Sequence, residues 1–194
     1  MASRLFQKKA KLRSVFDIID VICITLVVSV LILTLIFRVG CVQGQSMEPT
    51  MYEGDQYIIS NLFYTPKQSD IIVFLPDLTS EGDSANEKLY VKRVIATQGQ
   101  RVQIQKDETG TFRLYVDGQL QQEPYLDENQ VTRPPVGQDQ LDVTVPQGCV
   151  FVMGDNRNRS LASRDSSIGM VDQRYILGKA VFRLFPFQKI GLIE

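Results

Sequence analysis

Histidine is absent from all 194 residues. That absence excludes a Ser-His-Asp triad, a Cys-His dyad and any zinc site ligated by imidazole, so hydrolytic chemistry here needs another base. Cysteine is scarce: Cys23, Cys41 and Cys149 are widely spaced and form no metal-ligand pattern. Cys23 sits inside an apolar run, which leaves Cys41 and Cys149 either as a pair or as two reduced, partly buried thiols. No internal repeat, low-complexity tract or glycine-rich nucleotide loop occurs. Positive charge is concentrated at one end, where Arg4, Lys8, Lys9, Lys11 and Arg13 against Asp17 give +4; a net charge of −1 therefore leaves −5 on residues 18–194. A mildly acidic remainder lacks the electrostatic footprint of a nucleic-acid binder, and no nucleic-acid partner is expected.

What is present begins with a single long apolar run. No charged residue falls between Val21 and Phe37, and those positions reach about 25 Å as a helix, near the hydrocarbon thickness once Ile18, Ile19 and snorkelling ends contribute. The run predicts one transmembrane helix over 18–39 in contact with membrane lipid. The basic segment 1–17 before it predicts a cytoplasmic N-terminus, with residues 40–194 on the outer face of the plasma membrane. A cleavable signal peptide is the rival reading. The run is long for that, and Arg38 stands where a small-residue cleavage site belongs.

Beyond the run the pattern is mainly β. Residues 55–59, 70–75 and 89–95 are β-rich stretches bounded by glycine and proline, with a polar loop over 77–87. Residues 101–106 and 111–116 flank Asp107-Glu108-Thr109-Gly110, and Asp117-Gly118 marks a tight hairpin turn. These hairpins predict a small inserted β subdomain over about 97–148 within one extracytoplasmic domain. Residues 129–140, with Pro134-Pro135 and Gly137, read as a surface loop, and 150–153 and 178–184 as two further strands.

Two residues carry the chemistry. Ser46 lies in Gly44-Gln45-Ser46-Met47-Glu48-Pro49-Thr50, just after the apolar run, and a serine alone usually only caps or solvates. Lys92 lies in the stretch Leu89 to Ile95, where strand alternation puts Tyr90, Lys92 and Val94 on one partly apolar face. Burial disfavours an ammonium, which is how a lysine becomes a general base towards a hydroxyl; the alternative is an ordinary snorkelling lysine.

Ser46-Met47-Glu48-Pro49-Thr50, Tyr90-Val91-Lys92-Arg93-Val94, and Met153-Gly154-Asp155-Asn156-Arg157 with Ser160 and Ser163-Arg164 resemble, in order and spacing, the sequence boxes of type I signal peptidases. The resemblance covers nearly the whole chain, including Glu123-Pro124-Tyr125-Leu126, and its length and single anchor look like the compact Gram-positive form. It implies a serine-lysine endopeptidase of mainly β fold that removes signal peptides from exported preproteins, without metal or organic cofactor. Ser46 is then the nucleophile and Lys92 the base. The resemblance further implies that the Ser46 N–H serves the oxyanion, that Ser160 orients the Lys92 amine, and that Arg93 and Asp155 pair beneath the site. Val42, Met47, Met51, Tyr90 and Val91 fall where relatives line shallow pockets for small side chains.

Two positions depart from the pattern. Gly44 stands where some relatives supply a serine hydroxyl to the oxyanion hole, so that donor is the Gly44 backbone or is missing. Ala162 replaces the usual carboxylate partner of Arg164, which leaves Asp165 or main-chain carbonyls to meet the guanidinium. A soluble self-cleaving Ser-Lys repressor shares the dyad but not the apolar run. A membrane-anchored binding or scaffold protein, including a non-catalytic member of the same family, is the alternative from another class.

Overall fold

In a computed structural model the described residues are 16–31, 34, 37–75 and 89–193. The basic residues Arg4 to Arg13 and the whole of the predicted 77–87 loop lie outside them. The chain divides into two compact units, Met1–Arg38 and Val39–Glu194.

In the first unit, residues 16–31 are helical and exposed along their whole length. The hydroxyls of Thr25 and Thr34 donate to the carbonyls of Val21 and Val30, each four residues back, so neither is left seeking water. Among the described residues no helix is long and apolar enough to cross a membrane. The expected 18–39 helix also ends differently, because Phe37–Cys41 is a strand, β1. Its backbone groups find their partners in a sheet ladder instead of in a helix.

The second unit is mainly β. The next strands are β2 (Gln56–Ser60), β3 (Ile71–Phe74), β4 (Tyr90–Thr97), β5 (Arg101–Lys106), β6 (Phe112–Val116) and β7 (Gln119–Leu120). They are followed by β8 (Leu141–Thr144), β9 (Cys149–Met153), β10 (Val171–Asp172), β11 (Ile176–Phe185) and β12 (Gly191–Leu192). An eight-stranded sheet runs β1-β2-β11-β3-β4-β9-β10, with β12 paired to β11 off this path. A four-stranded sheet runs β7-β6-β5-β8, built from residues 101–144.

Both faces of the larger sheet are covered, and strand alternation sorts the side chains between them. On β3, Ile71 and Val73 join one core cluster with Met47, Met51 and Val91, while Ile72 and Phe74 join another with Val94 and Val152. A third cluster links the two sheets through Ile95 and Ala96 of β4, Val102 and Ile104 of β5, and Phe151 and Met153 of β9. Strand β4 touches all three, so its side chains are held from both sides; burying each large apolar one stabilises the fold by roughly 1.5–3 kcal/mol. Lys92 and Arg93 sit on this most constrained strand.

Strand β4 extends to Thr97, and β11 spans Ile176–Phe185, because the partners across from them continue the ladder. Strand β8, short and preceded by a polar loop, gave no separate signal in the sequence. Cys41 and Cys149 are free thiols.

Candidate active site

Lys92 and Ser46 meet. The Lys92 Nζ lies 2.7 Å from the Ser46 Oγ and 3.1 Å from the Val91 carbonyl, and it stands over the Tyr90 ring at 5.6 Å from the centroid. The lysine is 3% exposed. Tyr90 and Lys92 are two apart on β4 and therefore share a face, so the ring and the aliphatic stem shield the amine from water.

Ser46 is held by its neighbours. Met47, 1% exposed, and Met51, 0% exposed, drop from the segment into the core beneath it. The Met51 N–H donates to the Met47 carbonyl at 2.9 Å, closing a turn. The Met51 side chain is wholly buried and is not among the residues that line the cleft beside Ser46. Val42, Met47, Tyr90 and Val91 do line a cleft of about 250 Å³ beside Ser46 and Lys92, and Leu89 and Leu161 complete its apolar surface. Gln43, Gln45 and Arg159 add polar edges.

The residues around Gly154 brace the same segment. The Asn156 N–H donates to the Ser46 carbonyl at 3.0 Å, and the Asn156 Nδ2 donates to the Gln45 carbonyl at 3.1 Å. A Cβ on Gly154 would lie 2.3 Å from the Ser46 carbonyl oxygen and 2.1 Å from the Ser160 Oγ, so only glycine lets this backbone pass between them. Ser160 is buried and its hydroxyl donates to the Leu161 carbonyl at 2.9 Å. Gly44 adopts φ +82° with open space where a Cβ would project. A serine would fit there sterically, but the left-handed backbone disfavours any L side chain by roughly 1 kcal/mol or more, which is a local reason for glycine at this position.

Beneath the site, Arg93 and Asp155 form a two-point ion pair, Nε to Oδ1 at 2.9 Å and Nη2 to Oδ2 at 2.8 Å, with both side chains almost wholly buried. The Thr50 hydroxyl donates to the same carboxylate at 2.5 Å, so Asp155 ties β4 to the end of the nucleophile segment. Arg183 of β11 also grips that end, donating to the Thr50 carbonyl. A second buried pair joins Arg157 to Glu123, with Nη1 to Oε2 at 2.9 Å and Nη2 to Oε1 at 2.5 Å. Arg157 also donates to the Gly154 carbonyl at 3.0 Å and to the Thr132 hydroxyl. Burial alone would lower the Arg157 guanidinium, but Glu123 outweighs it and holds it above its ordinary value. The Tyr125 ring stacks 4.0 Å from Arg93 and 5.9 Å from Arg157, and burial with Glu123 beside it pushes its phenol up.

Arg164 takes both alternatives left open by Ala162. It donates to the Arg133 and Arg157 carbonyls at 2.9 and 2.8 Å, and its Nε stands 3.8 Å from Asp165. The Asp165 carboxylate accepts a closer bond, from the Ala162 N–H at 2.8 Å, so its first task is to close that turn. Burial lowers the Arg164 guanidinium and Asp165 partly restores it.

Sequence reasoning singled out neither Thr50, Asn156 and Arg183 nor the Arg157–Glu123 pair. Thr50, Asn156 and Arg157 lie inside recognised boxes and Glu123 inside the stretch Glu123-Pro124-Tyr125-Leu126, which was the available signal; nothing local marks Arg183. Among the described residues no cluster of carboxylates and thiols could hold a metal ion.

Comparison with known proteins gives one family. Residues 15–185 match the model for signal peptidase, peptidase S26. The chain is 37% identical to signal peptidase I of Bacillus licheniformis over 187 residues, covering 93% of this chain and 94% of that protein. It is 35% identical to probable signal peptidase I-1 of a Synechocystis strain, covering 89% and 84%. A solved signal peptidase I structure from Enterococcus faecalis V583 matches 60% of this chain and 97% of its own, at 29% identity and a TM-score of 0.44.

Proposed function

We propose a mechanism for a chain that belongs to the signal peptidase family, peptidase S26: the protein is a serine endopeptidase that cleaves signal peptides from preproteins, with Ser46 as nucleophile and Lys92 as general base. The observation that carries the assignment is the 2.7 Å contact between a hydroxyl and an amine that is 3% exposed, in a chain with no histidine. Neutral Lys92 accepts the Ser46 proton as Oγ attacks the scissile carbonyl, then delivers it to the leaving amine as the C–N bond breaks. The same amine next deprotonates the water that hydrolyses the acyl-enzyme.

The Ser46 N–H meets no acceptor among the described residues, which leaves it available to the oxyanion; such a donor contributes about 3–4 kcal/mol to the transition state. Gly44 offers only its backbone. Ser160, lodged against Gly154, serves to orient the Lys92 amine, and Arg93, Asp155 and Arg164 support the segments that carry the dyad. Val42, Met47, Tyr90 and Val91 receive the small side chains before the cut. Incubating the detergent-solubilised protein with a preprotein bearing an Ala-x-Ala site should yield one new N-terminus, directly after the second alanine, on sequencing. An intact preprotein would overturn the reading.

The N-terminal unit acts as an anchor in lipid. Support comes from Ile18, Val21, Ile22, Ile24, Leu26 and Leu31, each more than half exposed, a surface that water does not favour. The basic residues before it place the N-terminus in the cytoplasm and the catalytic unit outside, at the plasma membrane. The full chain should remain in the membrane pellet through an alkaline wash, and release of most of it to the supernatant would contradict the anchor.

A further inference from the structure

Among the described residues that line the cleft beside Ser46, two are cationic, Lys92 and Arg159, and none is acidic. On the mechanism above Lys92 works as a neutral amine, so Arg159 is the charge that a bound peptide meets. Its neighbours Arg93, Arg157 and Arg164 each have a carboxylate within ion-pair distance. Arg159 has none among the described residues; its Nη1 donates to the Gln45 Oε1 at 2.9 Å and its side chain is exposed. The Gln45 main chain is itself fixed, since its carbonyl accepts from the buried Asn156. The guanidinium thus stands at the rim, bonded to the residue before the nucleophile, and the rest of its fork meets no carboxylate among the described residues. A planar fork so restrained suits a carboxylate, and part of the ordering entropy is already spent in the free enzyme.

We propose that Arg159 is a specificity-determining residue that selects preproteins carrying an acidic side chain within three residues of the scissile bond and disfavours basic ones there. This rests on the proteolytic reading above. The test uses one preprotein with Glu, Gln or Lys placed in turn at each of the three positions on either side of the cut, compared by kcat/KM. In the wild type, Glu should exceed Gln at one or two positions by about three- to fivefold, the scale of a partly exposed ion pair. Lys should fall below Gln at the same positions. Arg159→Gln should bring the Glu-to-Gln ratio to about one, and Arg159→Glu should invert it. Raising salt from about 50 to 500 mM should shrink the wild-type ratio through screening, a readout that needs no variant. Equal Glu-to-Gln ratios in wild type and Arg159→Gln at all six positions, or a wild-type ratio insensitive to salt, would overturn the inference. Failure of the wild type to cut any substrate would instead count against the proteolytic reading.

Discussion

Ser46→Ala and Lys92→Ala are each expected to reduce preprotein cleavage by about a thousandfold or more, with the double variant scarcely worse than either single one. On the proposed mechanism the nucleophile and its base act on one proton across 2.7 Å, so removing either leaves the other without a task. A positioned general base contributes about 10²–10⁴ in rate, and the hydroxyl supplies the covalent route itself. Lys92→Arg should be equally inactive, because a guanidinium stays protonated across the working range. It also cannot fit without displacing Tyr90 or Ser46, since the amine site is nearly closed to water. Initial rates on a purified preprotein, with thermal unfolding to establish that each variant is folded, decide the matter. A folded Lys92→Ala protein retaining more than a few per cent of activity would show that another group takes the proton.

Asp155→Ala should destabilise the protein by about 3–5 kcal/mol and lower activity with it. Arg93 is 2% exposed and Asp155 is 0% exposed, so deleting the carboxylate leaves a buried guanidinium without its two-point partner, and removing one member of such a pair costs far more than the pair contributes. The Thr50 hydroxyl loses its acceptor in the same step, which loosens the far end of the Ser46 segment. Replacing both charged residues by apolar ones of similar volume should recover much of the loss, because no charge then remains buried. Unfolding of the full chain in detergent, followed for wild type, Asp155→Ala, the Arg93 single variant and the double variant, gives the coupling directly. Additive losses in the double variant would mean that the pair is not the source.

Local sequence made the β runs of the catalytic unit legible: β5, bracketed by charged and polar residues with alternating Val102 and Ile104, spans the range expected of it. The strands that escaped notice are short or depend on a distant partner, as β1 does on β2 and β8 on β5. Around the site, the dyad and the Arg93–Asp155 pair could be named because contiguous boxes resemble those of a known family. The bracing contacts could not, since they join residues far apart in the chain: Asn156 to Gln45, Thr50 to Asp155, Arg183 to Thr50. Such pairs depend on strand order, which has no local signature.

By itself, then, the sequence determined the available chemistry. The lack of histidine removed the commonest base, and the ordered boxes left one serine and one lysine in place of many. Tertiary structure decided environment. It put Met51 in the core, and it set the Lys92 amine against a ring and out of water. It also divided Arg164 between two carbonyls and a carboxylate 3.8 Å away. Residue identity sets which protons and charges exist, whereas burial and partner geometry, which arise only when β4, β9 and the Ser46 segment pack together, set the free energy of each.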